Sequence, residues 1–173
     1  MRKRIRIVFL LCFATLLTGV THAQKVSVDY DHAANFTSFH TYNWEEIKTV
    51  NTLWGDRIEK AVDQQLQAKG WQVVPSGGDV ALFALGQVHN QQQEQTFYSG
   101  AGGWRWGGMG GMATTTVYNT RNGVLVVSMF DAKTKKLFWR GTSSADLADN
   151  PEKNVGKLNK SVAKMFKNFP PRS

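Results

Sequence analysis

Between Gly123 and Ser144 the chain alternates apolar and polar positions on either side of a polar segment, Asp131 to Lys136. Period-two runs of β-branched and aromatic residues around such a segment predict a β-hairpin. With Lys135 in the left-handed position of a three-residue turn, Met129 faces Trp139 and Val127 faces Gly141, while Ser128 and Arg140 point to the other side. This register predicts a core face of Leu125, Val127, Met129, Leu137 and Trp139. The opposite face then carries Val124, Val126, Phe130 and Phe138, interrupted by Ser128, Arg140 and Thr142. Asn122-Gly123 tolerates positive φ at both positions and predicts a turn to a preceding strand, Thr114 to Arg121.

The other elements follow from the same kind of pattern. Lys25 to Asp31 alternates Val26, Val28 and Tyr30 against Ser27 and Asp29, a half-buried first strand, and Thr41 to Trp44 forms a second short one. Phe36, Phe39, Tyr42 and Trp44 come at close intervals and are expected in the core. From Thr52 to Lys69 the period becomes helical, with Trp54, Ile58, Ala61, Val62 and Leu66 on one side and Gly70 as the stop. Trp71 to Val74 returns as a strand, and Asp79 to Gln87 reads as a strand buried on both faces. The polar tract His89 to Thr96 and the glycine-rich stretch 99–111 predict a loop, because repeated glycine carries a large entropy cost in a strand. Pro151 to Phe169 is a second helix, capped by Asp149 or Asn150, with Val155, Leu158, Val162, Phe166 and Phe169 in one stripe. Five lysines, Lys153, Lys157, Lys160, Lys164 and Lys167, lie opposite that stripe and read as a solvated face, with contact to anionic lipid headgroups or a polyanion as the alternative. The sum is an α+β fold: an antiparallel sheet of about six or seven strands with two helices packed on one face.

Charge and length change this picture at the N-terminus. Met-Arg-Lys-Arg-Ile-Arg followed by the apolar run Ile7 to Leu17 has the form of a signal peptide, and Thr21-His22-Ala23 predicts cleavage after Ala23. The net charge of +8 includes Arg2, Lys3, Arg4 and Arg6, so the mature chain keeps 17 basic against 13 acidic residues, a net +4. That mild excess, in an exported chain without a recognition motif, argues against nucleic acid as a partner. The 150 residues after Ala23 suit one domain, 24–173. Cys12 is the only cysteine and falls in the signal segment, so no thiol or disulfide chemistry is expected of the mature protein. Leu17-Thr18-Gly19-Val20 has the form of a bacterial lipobox with valine in place of the acylated cysteine, which predicts a periplasmic, non-lipidated product.

Candidate chemistry is sparse. The sequence has no Gly-x-Ser-x-Gly elbow and no His-Glu-x-x-His helix, and His32, His40 and His89 lack ligand spacing. Neither an enzyme nor a metal or other cofactor is expected. Asp31 and Asp131 sit at strand ends, where turn-making is their ordinary task. Trp104, Arg105 and Trp106 in the glycine-rich stretch are a candidate ligand or partner loop, able to stack on sugars or sit at a lipid interface. Val126, Phe130 and Phe138 form a candidate interaction face, because two helices cover only one side of the sheet.

Several segments together resemble a bacterial envelope family, domain of unknown function 4136. They are Val28-Asp29-Tyr30-Asp31 with Phe36, Thr41 to Trp44, Arg57-Ile58 to Leu66 with Lys69-Gly70, Gly123 to Val127, Asp131 to Thr134, Leu137 to Gly141, and the closing helix with Pro170-Pro171. The resemblance implies an exported α+β domain, often a lipoprotein, and carries no catalytic residues. Val20 departs from the lipoprotein pattern, and Lys135 stands where glycine would suit the turn. The resulting expectation is a non-catalytic structural or protein-interaction domain of the cell envelope. Its partner would be another envelope protein or a second copy, with peripheral contact to membrane or glycan. The competing class is a glycan- or lipid-binding module built on the Trp/Gly-rich loop.

Overall fold

A computed structural model describes residues 24–99 and 112–171. Six strands form one sheet in the order β1-β6-β5-β4-β2-β3: β1 Lys25–Tyr30, β2 Thr41–Lys48, β3 Gln72–Val73, β4 Val80–Ser99, β5 Met112–Asp131 and β6 Leu137–Asp146. Helix α1, Thr52–Gln67, lies between β2 and β3, and helix α2, Pro151–Met165, follows β6. The sheet is mixed where an antiparallel one was expected: β2 runs parallel to both β3 and β4, and the other pairs are antiparallel. The reason is the crossover through α1, which returns the chain to the sheet in its original direction.

Both helices are built as their sequences predict, with shorter C-terminal ends. Asn51 caps α1 by accepting from Trp54 N, and Gly70, at φ +85°, ends it. Asn150 caps α2 through Glu152 N and Lys153 N, with Pro151 at the first position. Ile58, Ala61, Val62 and Leu66 of α1 and Val162, Met165 and Phe166 of α2 are buried against one sheet face. That face carries Tyr42, Val80, Leu82, Leu125, Val127, Met129 and Trp139. Phe36, Phe169 and Trp71 close the core at one end through edge-on ring contacts, Phe36 to Phe169 at 5.9 Å and Trp71 to Phe169 at 5.1 Å. Gly141 is required here by proximity, since a Cβ would run into Met165 and Trp139.

The hairpin keeps the expected register from Asn122 to Met129, with Met129 opposite Trp139, Val127 opposite Gly141 and Ser128 opposite Arg140. Lys135 has φ 59°. The turn is held by Asp131, whose carboxylate accepts from Lys133 N and Thr134 N. Beyond Met129 the register shifts, so that Phe130 pairs with Leu137 and Phe138 is the extra residue of a β-bulge. The bulge exchanges two predicted positions. Leu137, expected in the core, is 38% exposed, whereas Phe138, expected on the outer face, is 4% exposed and packs on Phe36 and Phe39.

Three further expectations also change. Asn122-Gly123 is no turn but lies inside β5, paired with His89 and Val88 on one side and with Asp146 and Ala145 on the other. Gly123 is there for close approach, since a Cβ would come within 2.9 Å of Leu147 Cδ2. The polar tract His89 to Thr96, expected as loop, continues β4, whose backbone pairs with β5 as far as Ser99 opposite Met112. Finally, β4 is not buried on both faces: Val80, Leu82 and Ala84 are in the core, but Leu85 is 37% exposed.

Candidate functional site: the helix-free sheet face

The exchange at the bulge redefines the candidate interaction face. Directly opposed residues of paired strands share a face, so the strand registers place its side chains in rows. One row runs Leu137, Phe130, Ala81 and Asn43 from β6 to β2. The next runs Asp29, Arg140, Ser128, Phe83 and Glu46, and the third Ser27, Thr142, Val126, Leu85 and Lys48. The apolar centre is therefore Phe130, Leu137, Phe83, Leu85 and Val126. Phe83 and Phe130 touch edge to face, with ring centroids 5.3 Å apart. Of the predicted face residues, Val126 and Phe130 lie here and Phe138 does not, because the bulge turns it into the core. Leu137, Phe83 and Leu85 are the members that sequence reasoning missed.

The flanks of this face are polar and carry both signs. Arg140 Nε donates to Ser128 Oγ at 3.2 Å beside the exposed Asp29, and Lys48 and Glu46 form an exposed ion pair of 3.0 Å on the other flank. One end is closed by the link from β3 to β4, which crosses β2 so closely that Gly78 lies against the Tyr42–Asn43 backbone. Asn43 Oδ1 accepts from Gly78 N, and Asp79 accepts from His40 N, Thr41 N and Thr41 Oγ1. Those hydrogen bonds, the His40 N–H first, hold the Asp79 carboxyl below its ordinary range.

The remaining polar side chains serve the fold. Asp63 of α1 accepts from Tyr42 Oη at 2.8 Å and Trp44 Nε1 at 3.0 Å, pinning the helix to β2. Burial first, and Asp63 second, hold the Tyr42 phenol far above its ordinary range. Burial, then Asp63 and Asp56, raises Glu59. Backbone donation from Thr134 and Lys133 holds Asp131 low, and Asp31 accepts from Ala33 N, so both aspartates make turns as expected. His32, His40 and His89 fall on three separate segments, and among the described residues no group of three or more His, Cys, Asp or Glu could hold a metal ion. Trp104, Arg105 and Trp106 lie outside the described residues. Among the described residues no helix is long and apolar enough to cross a membrane.

The fold and this face define an α+β domain that covers one side of a mixed sheet with two helices and presents the other. The family model described as domain of unknown function (DUF4136) matches residues 26–171, and the chain belongs to that family. Among curated proteins none matches the sequence. Of solved structures, a PDZ domain protein from Parabacteroides distasonis is similar over 87% of this chain, with a TM-score of 0.59 and 12% identity. The chain spans 37% of that protein. The PelC dodecamer from Paraburkholderia phytofirmans is similar over 87% of this chain and 100% of its own, with a TM-score of 0.53 and 12% identity. At such identities the likeness is one of fold.

Proposed function

We propose that this chain is an exported, non-catalytic domain of the bacterial envelope that works by protein contact, and that its helix-free sheet face joins it to a second copy. The observation that carries the reading is the continuous apolar strip Phe130, Leu137, Phe83, Leu85 and Val126 on the side that neither α1 nor α2 covers. An apolar strip of this kind, rimmed by polar residues, is what an association surface requires. Each flank carries a cation and an anion, Arg140 with Asp29 and Lys48 with Glu46. A face rotated by a two-fold axis therefore meets its own complement, which favours self-association over a partner of one dominant sign. The PelC chain, of similar fold, forms a dodecamer. Sedimentation of the purified protein across a concentration series tests the reading, which expects a species larger than the monomer.

Export rests on the basic start and apolar run of residues 1–23. Without a cysteine at residue 20, the mature protein is expected free in the periplasm with Gln24 at its N-terminus. Cell fractionation with an intact mass checks this. A diacylglyceryl adduct or an uncleaved leader would refute it.

A further inference from the structure

The helix-covered face of the sheet is filled unevenly. Where Trp139, Met129, Leu82 and Tyr42 meet the helices the packing is dense, but towards the other end Gly86, Gly123, Ser143 and Ala145 stand among the larger Leu125 and Val88. A groove of about 340 Å³ lies there between the helices and the sheet, with Ile58 seated over Gly86 and Leu147 over Gly123. Trp54 and Ile58 of α1, Leu125, Leu147 and Leu158 of α2 line it, and Val88, 41% exposed, stands at its rim. Of the buried polar side chains in its wall, Ser143, Asn154 and Ser161, Asn154 is already engaged, accepting from Ala148 N and donating to Ala148 O. The groove is thus an apolar slot within the size range of small-molecule sites.

Ala145 and Lys157 line this groove and also a second cleft, of about 470 Å³, at the same end of the sheet. The second cleft is cationic: Lys25 at the start of β1 and Lys157, Lys160 and Lys164 along one side of α2 converge on it, against the single carboxylate of Asp146. Lys157 Nζ already donates to Asp146 O, which leaves Lys25, Lys160 and Lys164; an apolar slot beside these ammonium groups fits one kind of molecule, an acyl chain with an anionic head.

We propose that the two cavities together bind one acyl chain of an anionic phospholipid. The chain lies against Trp54, Ile58 and Leu158, and the phosphate is met by Lys25, Lys160 and Lys164. The groove lies on the helix-covered side of the sheet, away from Leu85 and Val126, so its failure leaves the association reading intact.

The probe is lauroyl lysophosphatidylglycerol, added below its micelle concentration to the purified protein and followed by native mass spectrometry and calorimetry. One molecule per chain is expected. Ala145→Leu, which fills the junction of the cavities, and Val88→Trp, which covers the exposed rim without entering the core, should each abolish uptake. Lys160→Gln with Lys164→Gln should weaken it roughly ten- to hundredfold, and Leu85→Lys with Val126→Glu on the far face should leave it unchanged. Should Ala145→Leu unfold the protein, Val88→Trp carries the test. Absence of uptake overturns the proposal, as does uptake that survives both filling variants. Glycerol phosphate binding as tightly as the lysolipid would also overturn it, because the groove would then contribute nothing. Phosphatidylglycerol vesicles form the other arm: binding that responds to the lysine changes but not to Val88→Trp would mean a membrane-surface contact and reject the lipid pocket.

Discussion

Trp139→Ala removes the side chain on which the hairpin register, the bulge and the α2 docking all depend. Trp139 is 1% exposed, lies opposite Met129, and packs its ring on Phe166 at 4.9 Å and on Phe169 at 5.5 Å. Gly141 and Met165 fill the space beside it, so little can collapse into the hole. Truncating a buried tryptophan costs about 3–5 kcal/mol, and the two lost ring contacts favour the upper half of that range. In a domain of this length that corresponds to a fall of roughly 12 °C in thermal midpoint. The assay is urea unfolding followed by far-ultraviolet circular dichroism, with Arg140→Ala beside it. Arg140 is exposed and gives up one hydrogen bond to Ser128, so its loss should stay within about 1 kcal/mol. Equal and small losses for the two variants would show that the strand is slipped by one residue and would refute the register, the bulge and the face assignment together.

Other substitutions test the local arguments. Gly78→Ala puts a Cβ 2.8 Å from the Tyr42 backbone and should destabilise by about 2 kcal/mol or more in the same melts, whereas Gly70→Ala meets nothing within 4 Å and pays only for its φ of +85°, about 1 kcal/mol. Asp79 is held below its ordinary pKa, so the stability it contributes is present above the unfolded carboxylate value and is lost as pH falls through the lower folded value. The gap between the parent and Asp79→Asn, measured by unfolding at a series of pH values, should therefore narrow from about pH 5 downward. Glu59 is shifted the other way, chiefly by burial, so Glu59→Gln should be stabilising at neutral pH and lose that advantage in acid; a constant difference would contradict the assignment.

The parts of the fold that were legible in the sequence are those where side chains alternate against a core. The pairing of Val127 with Gly141 and Met129 with Trp139 follows from period-two alternation and one left-handed turn residue, Lys135. The α1 stripe of Ile58, Ala61, Val62 and Leu66 follows from period 3.6. What was not legible is what backbone alone decides. The continuation of β4 through its glutamines is made by main-chain pairing to β5, which leaves no apolar alternation to read. The bulge at Phe138 inserts one residue, and the pattern of Leu137 and Phe138 looks the same with or without it. The parallel placement of β2 had a usable signal that the antiparallel reading passed over: strand, helix and strand in succession, β2 to α1 to β3, is the usual source of parallel neighbours. The outer face was sensed in outline and wrong in membership, because one bulge decides whether Leu137 or Phe138 belongs to it.

Association through the helix-free face is most directly tested by sedimentation velocity of the purified protein beside a Leu85→Lys, Val126→Glu variant. Leu85 and Val126 are paired residues of β4 and β5 at the apolar centre, and substituting opposite charges keeps the pair attractive within one chain. The account predicts a parent that sediments as an assembly and a variant that sediments as a monomer, with the thermal midpoint largely kept. A parent that remains monomeric across the concentration series, or a variant that assembles as the parent does, would contradict it.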